Sequence, residues 1–189
     1  MLDSRLLTLR SPTPEDLPKL AALGRDTFVE TFGDLYTPED LNFFLEEAYH
    51  DQVVAEELAD PGLTHQIIEY QEQLIAFAKI GPVHVPVDKP APGSMELGQL
   101  YVLREFLGQG LGDKLMTWAL DRFAAFNPPE LYVSVFSENE RAIRFYQKYG
   151  FQKCGEYGYP VGNHIDLEWI MKKNRICGNN LALGKSPVL

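Results

Sequence analysis

The chain has 189 residues, 17 Lys and Arg against 27 Asp and Glu, and a formal net charge of −10 at pH 7. At 45% hydrophobic, 23% charged and 12% aromatic, it fits one soluble globular domain and excludes a disordered, collagen-like or disulfide-scaffold chain. No uncharged apolar run approaches the roughly 18–20 residues of a membrane span, the start has no secretory h-region, and Cys154 and Cys177 form neither a framework nor a metal spacing, so a reduced cytoplasmic protein with no membrane partner is expected.

The predicted elements begin with a short strand at Leu6–Arg10. Thr13-Pro14-Glu15-Asp16 then opens a helix, with Pro14 in the first turn and Asp16 closing a capping-box-like pattern. Leu17, Leu20, Leu23 and Phe28 give that helix its apolar face. Thr37-Pro38-Glu39-Asp40 repeats the device for a second helix, and a third covers about Gln52–Leu58 before Asp60-Pro61-Gly62. These helices lie in an unusual stretch: between Arg25 and Lys79 there are 13 acidic residues and no Lys or Arg. The first hundred residues hold 18 acids against 6 bases, and the remaining 89 hold 9 against 11. Such a field repels nucleic acid and favours a small cationic partner. A solvated acidic face that serves only solubility is the plainer reading of the same residues.

Two strands at His65–Tyr70 and Gln73–Ile80 read as a hairpin. Pro82–Gly93, with Pro82, Pro86, Pro90 and Pro92, reads as a loop. Met95–Val102 is the next strand. Gln109–Phe126 reads as a helix because Leu111, Leu115, Trp118, Ala119 and Phe123 recur at spacings of three and four. Leu131–Phe136 is a strand, Asn139–Tyr149 a helix ended by Gly150, and Phe151–Tyr157 with His164–Lys172 a closing antiparallel pair. Cys154 reads as a small buried strand residue. The order predicts an α/β fold, a mixed central sheet with helices on both faces. One domain is expected over residues 1–173, with 174–189 a tail without chemistry of its own.

Leu107-Gly108-Gln109-Gly110-Leu111-Gly112 lies between a strand and a helix. Closely spaced glycines let N–H groups approach a ligand, and a helix start favours negative charge, so this corner suits a pyrophosphate. A tight turn is the structural alternative. A P-loop is excluded because Gly112 is followed by Asp113-Lys114, and a dinucleotide fingerprint belongs in the first strand–helix–strand unit. About 30 residues on comes Asn139-Glu140-Arg141-Ala142-Ile143-Arg144-Phe145-Tyr146-Gln147-Lys148-Tyr149-Gly150-Phe151.

Together with the strand Glu96–Val102, these two segments resemble the GNAT superfamily of acyl-CoA-dependent N-acetyltransferases, over about Leu6 to Lys173. Within it, Asp26–Phe32, the Thr37–Asp40 helix start and the segment Asp166–Met171 resemble the PaiA-type polyamine N-acetyltransferases. The resemblance implies the GNAT fold, acetyl-CoA as cosubstrate, no metal, and direct transfer of an acetyl group to a primary amine in a ternary complex. It implies cofactor contacts by Tyr101, Val102, Leu107, Gly108, Gln109, Gly110, Leu111, Gly112 and Asn139. One departure stands out: the family loop usually opens with Gln or Arg, and here that position is Leu107, which keeps its backbone N–H.

Amine acetylation needs a proton acceptor, because an alkylamine with a pKa of about 10 is protonated at neutral pH. Glu96 is the candidate base, with an outward strand glutamate as its bland alternative. Tyr146 is the candidate acid for the departing thiolate, with a core aromatic as its alternative. Asn139 reads equally as a helix cap. Phe28, Glu30, Phe32, Asp34 and Tyr36 are candidates for holding the amine, carboxylates for its charge and aromatics for its methylenes. His50, His65, His84 and His164 form no metal pattern. Other acceptors stay open: a protein N-terminus, a lysine, an amino acid or an aminoglycoside. So does a non-catalytic acyl-CoA-binding regulator. Homodimers are common in the resembling family, and nothing in the sequence specifies an interface.

Overall fold

The computed structural model describes residues 2–174. Its strands are β1 (Leu7–Arg10), β2 (Thr64–Tyr70), β3 (Gln73–Pro82), β4 (Met95–Val102), β5 (Glu130–Phe136), β6 (Gln152–Val161) and β7 (His164–Asn174). They form one sheet in the order β1-β2-β3-β4-β5-β7-β6. Every neighbouring pair is antiparallel except β4 and β5. The helices are α1 (Leu17–Phe32), α2 (Pro38–Tyr49), α3 (Asp51–Ala59), α4 (Leu111–Phe126) and α5 (Glu140–Lys148). α1, with α2 and α3 beside it, packs on β3 and β4, and so does α4. β3 is buried without alternation from Leu74 to Ala78, as a strand covered on both faces is. The expected mixed sheet flanked by helices is therefore present.

The local signals act largely where the sequence places them. Thr37 Oγ1 accepts the Asp40 N–H at 3.2 Å and starts α2. Thr13 starts a short 3-10 turn at Pro14–Asp16, which leads into α1. α4 begins two residues later than predicted, at Leu111, because Gly110 has a left-handed backbone (φ 78°). β6 runs past its predicted end to Val161, through Pro160. It is an edge strand, where a missing N–H need not break a ladder. Asn174, predicted to open the tail, pairs with Glu130 as the last residue of β7. Residues 175–189, including Cys177, lie outside the described residues. Cys154 is exposed, contrary to expectation. It sits at a bulge on that same edge strand, between the paired residues Lys153 and Gly155.

The parallel pairing of β4 and β5 is very short. Only Met95↔Leu131 and Glu96↔Tyr132 pair. Beyond them β4 follows β3 and β5 follows β7. The sheet therefore opens into a cleft at its centre.

Away from the cleft, Arg10 ties the sheet edge to α1. Its guanidinium reaches Asp16 at 2.6 Å and Glu69 at 2.6 Å. Asp16 is 6% exposed. Hydrogen bonds from Arg10 hold its carboxyl below the ordinary value of 3.8. A depressed carboxyl stabilises the fold fully above its ordinary value, and the contribution disappears as the pH falls through the folded value. Asp16→Asn should therefore cost about 1–3 kcal/mol at pH 7. Urea denaturation at pH 7 and pH 3 checks this: the gap between wild type and variant should narrow in acid.

Candidate active site

The cleft between β4 and β5 encloses about 1000 Å³ and runs from the glycine loop to the helices α1 and α2. At the loop end, Gly108 and Gly110 both have left-handed backbones (φ 75° and 78°). A Cβ at either would point into open space, with no atom beyond the chain neighbours within 4 Å. The first intrahelical bond of α4 runs from the Lys114 N–H to the Gly110 carbonyl at 3.1 Å. The N–H groups of Leu111, Gly112 and Asp113 therefore have no intrahelical acceptor, and no side chain caps the helix. Free N–H groups at a helix start are donors that suit phosphate oxygens.

Two of the expected loop contacts are altered. Leu107 lines the cleft, but its N–H donates to the Arg104 carbonyl at 3.2 Å. The expectation that this N–H serves a phosphate is corrected: it closes the preceding turn. The Gln109 side chain accepts the Leu2 N–H at 2.9 Å and holds the chain start. The expected pyrophosphate corner thus rests on backbone from Gly108 to Asp113.

Further along, Tyr101, Val102, Asn139 and Tyr146 line the cleft. From Leu97 to Val102 one edge of β4 has no strand partner, so its backbone is open to an extended ligand. Asn139 caps α5, its Oδ1 accepting the Ala142 N–H at 3.1 Å. Tyr146 is buried, and its hydroxyl bonds to no described residue. Burial, with the Glu168 charge nearby, raises its pKa, so the phenol keeps its proton.

At the far end, Phe28, Phe32 and Tyr36 line the cleft as expected. Phe28 packs on Phe44 at 4.3 Å between ring centroids and on Phe32 at 5.1 Å. Glu30 and Asp34 are not part of the lining. Glu30 accepts the Arg104 N–H at 2.7 Å, and Asp34 faces solvent because it lies on the outer side of the turn after α1. Besides Asp113 on α4, the carboxylates in the lining are Glu47 from α2, Glu57 from α3, Asp60 after it, Glu96 from β4, and Asp166 and Glu168 from β7. Lys79 also lines the cleft but is paired with Glu57 at 2.5 Å.

Glu96 faces inward and is buried, which removes the outward-facing alternative. Its Oε2 accepts the N–H of His84 at 2.6 Å and of Val85 at 3.0 Å, pinning the proline-rich loop. Asp166 is buried between the Tyr36 hydroxyl, which donates to it, and His164 Nε2 at 3.2 Å. Glu168 accepts from Ser134 Oγ, which also lies 3.1 Å from the Tyr157 hydroxyl. Burial, followed by the charges of Asp166 and Glu96, raises the pKa of Glu168. Sequence reasoning assigned neither β7 carboxylate to the site. Their signal was period-two alternation: Asp166 and Glu168 share a strand face with the buried Ile170.

Residues 26–151, more than half of the chain, match the model of the acetyltransferase (GNAT) family. An aminoglycoside N(6')-acetyltransferase type 1 of Klebsiella pneumoniae is 32% identical over 82% of this chain and 79% of its own length. A spermine/spermidine N(1)-acetyltransferase of Bacillus subtilis is 30% identical over 48% of this chain and 60% of its own length. Among solved structures, a PaiA N-acetyltransferase from Thermoplasma acidophilum, in complex with coenzyme A, superposes with a TM-score of 0.72. It is 20% identical and is covered to 99% by 89% of this chain.

Proposed function

The chain belongs to the acetyltransferase (GNAT) family and is an acetyl-CoA-dependent N-acetyltransferase, and from that premise we propose that its acceptor is a small cationic primary amine, with a polyamine favoured. The observation that carries this reading is the composition of the far end of the cleft. Glu47, Glu57, Asp60, Glu96, Asp166 and Glu168 line it beside Phe28, Phe32 and Tyr36. Carboxylates attract ammonium groups, and aromatic faces suit both methylenes and cations. The likeness to a spermine/spermidine N(1)-acetyltransferase agrees with it. The relative acting on aminoglycosides supports a second reading, a polycationic sugar, which uses the same charge.

Acetyl-CoA supplies an acyl group already activated as a thioester. In our reading the cradle from Gly108 to Asp113 holds its pyrophosphate through backbone N–H groups. The open edge of β4 at Tyr101 and Val102, with Asn139 opposite, aligns the pantetheine arm. The carboxylates of the cleft, Glu96 among them, receive the proton that the amine gives up on attack. Tyr146, buried and protonated, delivers a proton to the departing sulfur. Attack is direct, with no acyl-enzyme.

Free-thiol release from acetyl-CoA should be fastest with spermidine or spermine in a panel that includes lysine, a peptide mixture and an aminoglycoside. Fastest release with the aminoglycoside would make the second reading the correct one. Tight acetyl-CoA binding with no thiol released from any amine would leave a non-catalytic acyl-CoA-binding protein. Tyr146→Phe should lower kcat about 10- to 100-fold, with little change in acetyl-CoA affinity. Gly110→Ala should cost about 1 kcal/mol of stability through its left-handed backbone. Its new methyl also enters the ligand space, so titration calorimetry should show acetyl-CoA binding weakened about tenfold or more.

A further inference from the structure

Three carboxylates from adjoining strands line the cleft, Glu96 on β4 and Asp166 and Glu168 on β7, and they are not equivalent. Glu96 has one oxygen committed to two backbone N–H groups of the proline-rich loop. Asp166 has the Tyr36 hydroxyl on one oxygen and His164 within 3.2 Å of the other. Glu168 accepts from one side-chain hydroxyl, that of Ser134, through Oε2. Its other oxygen has no hydrogen-bond donor among the described residues.

We propose that Glu168, oriented by Ser134, is the group that takes the proton from the attacking amine. This rests on the reading of the cleft as an acetyl-transfer site, and deepens it. An independent feature of the same place points to a ligand between Glu168 and α5. Tyr146 is 7% exposed, lines the cleft and has a hydroxyl without a hydrogen-bond partner among the described residues. Glu168 lines the same cleft, so the two groups share one cavity. The Tyr146 hydroxyl opens onto the cleft, where a bound molecule can meet it.

The groups around Glu168 explain why it suits the task. The charge of Glu168 helps to raise the pKa of several phenols around it: Tyr36 before α2, Tyr101 on β4, Tyr146 on α5, and Tyr157 and Tyr159 on β6. Asp166 and Glu96 add negative charge, and Ser134 is the donor that opposes them. A carboxylate so placed holds a proton more readily than an exposed one. The bound ammonium group first gives one proton to solvent. The neutral amine then uses its electron pair to form the bond to the acyl carbon, and its nitrogen passes a second proton to Glu168. The carbon–sulfur bond breaks with its pair going to sulfur, and Tyr146 supplies the proton that makes the thiol. The proton on Glu168 then leaves to solvent, and Tyr146 is reprotonated.

The test is kcat against pH at saturating acetyl-CoA, for wild type and variants, with the amine that turns over fastest. The acid limb of wild type should lie above that of an ordinary glutamate. Glu168→Gln keeps the shape and should lose about 100-fold or more in kcat together with that limb, while calorimetry shows acetyl-CoA affinity changed less than about twofold. Ser134→Ala removes a donor to the carboxylate and should move the limb up. Asp166→Asn removes a neighbouring negative charge and should move it down. Opposite displacements are not expected of residues that only support the fold. If Glu168→Gln binds no acetyl-CoA, the pair of displacements decides. Wild-type turnover with Glu168→Gln within about threefold and an unmoved limb overturns this inference alone, and so does an absence of opposite shifts. No thiol release by wild type from any amine overturns the proposed function, and this inference with it.

Discussion

Two residue pairs join β4 to β5, and the rest of the site depends on where that pairing stops. Parallel strands pack side by side for as long as their ladder continues. Here the ladder ends at Glu96↔Tyr132, and the two strands separate. The separation leaves a strand edge without a partner in the middle of a sheet, where backbone groups ordinarily find one. An unpaired edge facing a cavity asks for a ligand with amide groups of its own. The glycine loop follows β4 directly, so the same strand that offers the edge also delivers the phosphate cradle.

The residues at the last pair are themselves informative. Glu96 does not only close the ladder. Through His84 and Val85 it anchors the loop that packs Val85 against Tyr132 and Ile170. Glu130, at the start of β5, does the same at the loop's other end, accepting from Ala91 and Ser94 while Lys172 pairs with it at 3.0 Å. Hydrogen bonds from Tyr132 and Lys172 hold its carboxyl down at about 2. A proline-rich loop with few donors of its own is thus fixed by carboxylates on the two strands that part.

Much of this was legible in the sequence, for reasons that are local. The caps at Thr13 and Thr37, the apolar stripe of α4 and the glycine pattern depend on neighbours within a few residues, and they fall where expected. The two left-handed glycines could be read because only glycine takes that backbone freely. What depended on strand neighbours was not legible. Cys154 reads as buried in the sequence because strand periodicity does not say which strand lies at an edge. Glu30 and Asp34 read as site residues because they are carboxylates beside the aromatics of the first helix and its loop. α1 in fact turns Glu30 toward the Arg104 backbone, and the following turn puts Asp34 in solvent. The Leu107 N–H was assigned to a phosphate, since no sequence rule announces the turn that consumes it.

The same limitation accounts for Asp166 and Glu168. In sequence they sit late in the chain, far from the acidic stretch, in a half with a slight excess of basic residues. The sheet order places β7 next to β5, across the cleft from β4, and so brings them opposite Glu96. Three carboxylates gathered by topology from two distant strands repel one another, and such an arrangement persists only when something offsets it. Tyr36 offsets it for Asp166, two amides for Glu96, and Ser134 for Glu168. Glu168 has Ser134 as its single hydrogen-bond donor among the described residues, which leaves its other oxygen open to an incoming ammonium group.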